Sequence, residues 1–331
     1  MSSGSCRQTV AGTDLIRAAE LLRAGRLVAI PTETVYGLAA NALNPAAVAE
    51  VFEAKQRPAF DPLIVHVPDR DAAGRVVSEF PPLAERLAAA FWPGPLTLVL
   101  PRHSCIPDLV TSGLPGVGVR VPAHPLTQRL LREVDCPLAA PSANPFGGIS
   151  PTTPQHVLDG LGGGIDYVLD GGPCAVGVES TVVSLMQERP LLLRPGGVSL
   201  EELERVAGPL ERLSALSGDE TTPQPAPGML SRHYAPRTPL VLLDEQSAAR
   251  PLPGRRCGLL TWGEFPEDPG FDRICQLGPS ENLRISAANF FAGLRDLDSA
   301  GLDVIIARLF PERGLGLALN DRLRRGAVDA H

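Results

Sequence analysis

Short, almost wholly apolar runs recur along the first two thirds of this chain, and each ends in a polar loop. Leu27–Ile30, Leu63–Val67, Leu96–Leu100, Val117–Val121 and Pro137–Ala140 are too short for helices, and only His66, Thr97 and Arg120 interrupt their apolar character. They read as buried strands. Helical segments lie between them. Thr13-Asp14 caps one that Gly25 stops, and Asn44-Pro45 opens a second that ends near Lys55, because Pro58 cannot continue it. Further helices are predicted over Leu83–Phe91 and Leu126–Glu133, from Thr153-Pro154, and over Glu201–Val206. Strands near Tyr167–Asp170, Ser180–Leu185 and Leu191–Leu193 follow one another with few helices between them, which predicts a mixed sheet in an α/β protein.

From Gly208 to Pro239 the apolar period disappears, and Ser, Thr, Gln, Pro and Gly dominate. This reads as a linker. It contains a polar-aromatic island, Pro227-Gly228-Met229-Leu230-Ser231-Arg232-His233-Tyr234-Ala235-Pro236. Strand-like Leu240–Leu243, Gly258–Leu260, Ile274–Leu277 and Val304–Ile306, with helices over Asn282–Leu297 and Leu317–Arg325, predict a smaller α/β domain. The expected division is residues 1–207, a linker over 208–238, and a second domain over 239–331.

The net charge of −7 argues against a surface that coats nucleic acid, but leaves room for a local basic cleft. Six scattered cysteines without a C-x-x-C pair read as reduced thiols. The N-terminal stretch lacks a basic-then-apolar signal pattern, and no apolar run reaches the roughly 18 residues that span a bilayer. A cytoplasmic protein is expected.

Within this frame Lys55 stands out as the one lysine among thirty Lys and Arg residues. Arginine bias is the plain explanation. A compact ammonium, however, fits where a wide guanidinium does not. Arg57 stands two residues on, and the pair suits an anion with several oxygens, or simply the negative end of a helix. The polar loops at strand ends supply the remaining candidates: Thr32, Glu33, Thr34 and Tyr36; His66; Arg120, set among valines; Ser142 and Asn144; Glu179-Ser180-Thr181; and Arg194. An arginine in an apolar strand must meet an anion or face solvent. Lys55, Arg57, Arg120 and Arg194 are expected to line one cleft for a polyphosphate and a small polar acid. The chain has no P-loop, no G-x-S-x-G and no H-E-x-x-H, and Gly160-Leu161-Gly162-Gly163-Gly164 reads as a turn.

The ordered segments Pro31-Thr32-Glu33-Thr34-Val35-Tyr36-Gly37, Lys55-x-Arg57-Pro58, Pro62-Leu63-Ile64-Val65-His66, Val119-Arg120-Val121-Pro122, Pro141-Ser142-Ala143-Asn144, Gly177-Val178-Glu179-Ser180-Thr181 and Leu193-Arg194-Pro195-Gly196 resemble the YrdC-type threonylcarbamoyl-AMP synthases. The island at 227–236 resembles the long, two-domain form of that family. The resemblance implies a YrdC-like twisted mixed sheet with flanking helices and a central basic cleft, followed by a Rossmann-like domain. It implies synthesis of threonylcarbamoyl-AMP from L-threonine, bicarbonate or CO2, and ATP with Mg²⁺. Pyrophosphate leaves, and the product feeds modification of a tRNA adenosine beside the anticodon. By the family pattern Lys55, Arg57, Asp61, Ser142, Asn144, Ser150, Arg194 and Tyr234 would face ATP, with Lys55 and Arg57 serving catalysis. Thr34, His66, Arg120, Ala140 and Ser180 would hold threonine, and Tyr234 would belong to a lid.

Asp61 departs from the pattern, which commonly has Asn there. A carboxylate about 4 Å from a phosphate is unfavourable by roughly 1–4 kcal/mol. Asp61 must therefore turn away or work through Mg²⁺ or water, and the bridged arrangement is the expectation here. Two other readings compete: a basic cleft that grips tRNA or double-stranded RNA without chemistry, and carbamoyl transfer to another substrate.

Overall fold

The computed structural model describes residues 8–212, 224, 226–230, 232–245, 247–263 and 270–327. Cys6 and much of the expected linker, including 213–223, 225 and Ser231, lie outside the described residues. The first part runs β1 (Val10–Gly12), α1 (Leu15–Arg23), β2 (Val28–Ile30), β3 (Gly37–Asn41), α2 (Pro45–Lys55), β4 (Ile64–His66), α3 (Arg70–Val76) and α4 (Pro82–Phe91). It continues with β5 (Leu96–Pro101), α5 (Asp108–Thr111), β6 (Gly116–Arg120), α6 (Pro125–Val134), β7 (Leu138–Ala139) and α7 (Pro154–Leu161). Then come β8 (Tyr167–Leu169), β9 (Thr181–Ser184), β10 (Leu191–Arg194), α8 (Leu200–Ala207) and β11 (Glu211–Arg212). The second part holds β12 (Leu240–Leu243), β13 (Cys257–Thr261), β14 (Arg273–Gln276), α9 (Leu283–Ser299), β15 (Val304–Arg308) and α10 (Gly316–Ala327).

β1 to β11 form one mixed sheet in the order β1-β8-β2-β3-β7-β4-β6-β5-β9-β10-β11. The second sheet, β12-β15-β13-β14, is parallel throughout. The predicted α/β class, with a mixed and a smaller Rossmann-like sheet, matches this architecture. Local chemistry explains the element ends. The Asn44 side chain accepts from Ala46 N and Ala47 N at the start of α2. Gln56 closes that helix in the left-handed region, and Pro58 lies just beyond.

The two parts are not separate cores. Val35, Ile149 and Val178 of the first part pack in one apolar cluster with Phe290, Phe291, Leu319 and Leu323 of the second, and Tyr234 of the linker joins them. Gly177 marks the tightest approach. Its φ is +76°, and an added Cβ would lie 2.2 Å from the Ala287 carbonyl oxygen on α9. Gly177→Ala is therefore expected to lower unfolding stability by about 1–2 kcal/mol from the left-handed backbone alone, with the steric conflict added. Thermal unfolding checks this, and an unchanged melting temperature would show that the two parts do not meet at Gly177.

Candidate active site

The loop between β2 and β3 is a hairpin connection, since Ile30 pairs antiparallel with Gly37. Its shape is fixed by Thr32. That hydroxyl donates to Val35 O at 2.6 Å and accepts from the Thr34 and Val35 amides. Because the Thr32 proton is spent on the carbonyl, the Thr34 hydroxyl donates across the 2.7 Å contact to Thr32. Thr34 in turn accepts from Arg120 Nη1 at 2.9 Å.

Arg120 ends β6 and is the register partner of His66 on β4. Ile64 and His66, two apart on β4, point to the same face. The candidate residues therefore lie over one face of the sheet as well as at its strand ends. The Arg120 guanidinium meets Glu33 Oε1 at 2.6 Å, and Glu33 Oε2 accepts from Ala123 N. Burial and the neighbouring Arg120 push His66 down to about 3, so its imidazole is neutral across the physiological range.

Lys55 is 1% exposed. Its ammonium donates to the carbonyls of Ser142, at 2.5 Å, and Asn144. Phe146 N donates back to Lys55 O at 2.9 Å, so the 142–146 loop is fastened to the end of α2. Burial, then Arg57, lowers the Lys55 pKa well below its ordinary value. Arg57 donates to Asp61 O and Pro62 O, and its Nη2 lies 2.9 Å from Asp61 Oδ2. That carboxylate contact lacks hydrogen-bond alignment, and charge carries it. Asp61 is fully buried; burial raises its pKa, while Arg57, Lys55 and Arg194 oppose the rise. Asp61 thus turns to Arg57 and does not line the cavity described below.

Arg194 ends β10 and donates to Ser180 O at 2.9 Å and Pro227 O at 2.9 Å. It ties the linker to the sheet. Ser180 Oγ lies 2.8 Å from Thr97 Oγ1 on β5. His233 sits edge-on between Phe146 and Tyr234, and Tyr234 Oη is buried without a hydrogen-bond partner.

One cavity, partly open to solvent, joins these groups. Thr34, Arg57, His66, Arg120, Ala140, Ser142, Ser180, Arg194 and Tyr234 line it. Lys55, Asp61, Asn144 and Ser150 stand behind that lining and hold it. Asn144 Nδ2 donates to Pro145 O and Gly148 O, and the Ser150 hydroxyl donates to Glu179 Oε1. Sequence reasoning flagged Glu179 and His233 only as parts of polar segments, and both line the cavity. It missed Arg322, whose Nε lies 3.0 Å from Glu179 Oε2. The pattern gave no local sign of that pairing.

A buried cationic cavity on a mixed sheet, roofed by a segment that leads into a second parallel sheet, defines a two-part α/β protein built to enclose a small anionic ligand. Residues 20–196 match the Sua5/YciO/YrdC family, described as telomere recombination, and residues 198–328 match the family described as threonylcarbamoyl-AMP synthase, C-terminal domain. The chain belongs to this family of threonylcarbamoyl-AMP synthases. It is 43% identical over 321 residues to the threonylcarbamoyl-AMP synthase of Pyrococcus abyssi, covering 94% of this chain and 93% of the relative. With the Bacillus subtilis threonylcarbamoyl-AMP synthase it shares 44% identity, over 95% of this chain and 92% of the relative. The crystal structure of P. abyssi Sua5 complexed with L-threonine superposes with a TM-score of 0.87 at 40% identity, over 97% of each chain.

Asp61→Asn is expected to lower stability by on the order of 2 kcal/mol, because it leaves the buried Arg57 guanidinium without its counter-charge. Denaturant unfolding measures this, and an unaltered midpoint would show that the pair contributes nothing.

Proposed function

We propose that this protein condenses L-threonine, bicarbonate or CO2, and ATP into threonylcarbamoyl-AMP, with release of pyrophosphate. The observation that carries the reading is the convergence of three arginines, with a lysine directly behind them, on a cavity that also holds a neutral histidine and several hydroxyls. Membership of the family and the P. abyssi complex with L-threonine support the same assignment.

Threonine is assigned to the side formed by Thr34, His66, Arg120, Ser180 and the backbone at Ala140. Arg120 is suited to a carboxylate, and the arriving ligand competes with Glu33 for its guanidinium. ATP is assigned to the side formed by Arg57, Ser142, Arg194 and Tyr234, with Lys55, Asn144 and Ser150 behind it. Arg57 and Arg194 stabilise charge developing on the departing pyrophosphate, a task of position more than of proton transfer. Lys55 fixes the Ser142–Asn144 loop through its contacts with the two carbonyls. Asp61 acts through Arg57, by holding the guanidinium in place. His66, held neutral, orients the substrate as a hydrogen-bonding group. The threonine amine must be neutral to attack CO2. The resulting carbamate loses CO2 in water, so the roof formed by Pro227, Gly228, His233 and Tyr234 serves to exclude solvent.

No group of three or more His, Cys, Asp or Glu side chains among the described residues is arranged to hold a metal. Mg²⁺ is assigned to the ATP phosphates, as part of the substrate. The product passes to a transferase that modifies a tRNA adenosine, and a cytoplasmic location is the reading that accompanies this role. No described helix is long and apolar enough to cross a membrane. Among the described residues, Cys105, Cys136, Cys174, Cys257 and Cys275 are free thiols.

The direct test is pyrophosphate release from ATP without RNA, expected only when threonine and bicarbonate are both present. Tight, salt-dependent RNA binding without turnover would favour the RNA-gripping reading instead. Lys55→Ala is expected to lower kcat/KM by at least about 100-fold, and Lys55→Arg to restore little, because a guanidinium does not fit the space between two carbonyls. Full activity of Lys55→Arg would refute that account. Tyr234→Phe removes a buried hydroxyl with no partner in the protein, so stability should hold while the KM for ATP rises several-fold; an unchanged KM would detach Tyr234 from the nucleotide.

A further inference from the structure

Three carboxylates are buried around this cavity, and each meets an arginine. Glu33 meets Arg120 and Asp61 meets Arg57, both pairs formed within the first part of the chain. The third pair is different. Glu179 lines the cavity, and its counter-charge is Arg322 of α10, 143 residues further along the chain.

Arg322 is 1% exposed and reaches several of the relevant groups from one position. Its Nε holds Glu179 Oε2 at 3.0 Å, and Nη1 donates to Pro195 O, the carbonyl next to Arg194, at 2.5 Å. Its guanidinium lies 5.1 Å from the centre of the Tyr234 ring. The other oxygen of Glu179 accepts from the Ser150 hydroxyl. A continuous path therefore runs from α10 through Arg322 and Glu179 to Ser150, with a branch to Tyr234. Asp321 Oδ2 also lies 3.0 Å from Nη1, while Nη2 is buried without a hydrogen-bond partner. Arg295 of α9 fastens the same region by donating to Ile149 O.

We propose that Arg322 is a positioning residue for the nucleotide: it neutralises the Glu179 carboxylate that faces the phosphate side of the cavity, fixes Ser150 through that carboxylate, and holds the Tyr234 ring directly. The second part of the chain thereby supplies one charge of the site and does more than anchor the linker. A carboxylate in this cavity without its arginine repels a polyphosphate, whereas threonine binds at Arg120, which has its own partner. The consequence is selective for ATP. This inference rests on the ATP-dependent reaction proposed above.

The test compares the wild-type chain with Arg322→Ala, Arg322→Lys and the double variant Arg322→Ala/Glu179→Gln. Pyrophosphate release is measured against ATP and against threonine, with thermal unfolding as the control for folding. Arg322→Ala is expected to raise the KM for ATP about tenfold or more, with a much smaller change for threonine. Arg322→Lys keeps the charge without the fork and should fall between. The double variant removes both charges and should recover most of the ATP affinity. It also remains informative if Arg322→Ala does not fold, because it leaves no buried charge unpaired. A folded Arg322→Ala with unaltered KM for ATP overturns the proposal. So does equal loss toward both substrates in Arg322→Ala without recovery in the double variant, which is the signature of a packing role alone. A wild-type protein that releases no pyrophosphate overturns the underlying reaction, and that outcome is distinct from either.

Discussion

A charge taken out of water must find an opposite charge or an array of dipoles, and the site depends on that constraint. Removing one partner of a buried pair is far more damaging than never having had the pair. Asp61 fixes Arg57 at the end of α2. Glu33 and Thr34 fix Arg120 at the end of β6. Two carbonyls accept from Lys55, and two others from Arg194. The cations are thus held in place before any ligand arrives, and an anion finds positive charge already aimed at the cavity. Such preorganisation spares the reaction the reorganisation that solvent would require.

The cavity also depends on the second sheet. Val35, Ile149 and Val178 carry the loops of the site on their polar neighbours, and all three are covered by the cluster around Phe290, Phe291 and Leu319. Burying each of these side chains contributes on the order of 1.5–3 kcal/mol. The loops between β2 and β3, before α7 and before β9 therefore owe part of their rigidity to packing from across the chain.

Much of this was legible in the sequence, and the exceptions have identifiable causes. The apolar runs that became β4, β5, β6 and β10 were evident because buried strands need no polar face. β3 was missed, since Gly37-Leu38-Ala39-Ala40 leaves the polar loop with alanines that favour helix as readily as strand. α3 was missed because Arg70-Asp71-Ala72-Ala73-Gly74 has a weak apolar period and an internal glycine, and Asp69 as its cap is the one local signal. The basic residues of the cleft could be gathered from their places at strand ends. Their partners could not. Nothing near Asp61 states that it turns to Arg57 and away from the cavity, and Arg322 reads in sequence as one more arginine on a basic helix. Pairings across long chain separations are set by tertiary packing, which a local pattern does not encode.

The solitary lysine has a consequence for the chemistry of the polypeptide itself. Its ammonium is sealed beneath the carbonyls of Ser142 and Asn144, and the chain contains no other side-chain amine. A lysine-specific protease has one peptide bond to cut, and an amine-selective reagent has one side chain to modify. Both must wait for the end of α2 to detach from the 142–146 loop. The rate of either reaction therefore reads out the opening of this one junction, without any engineered label.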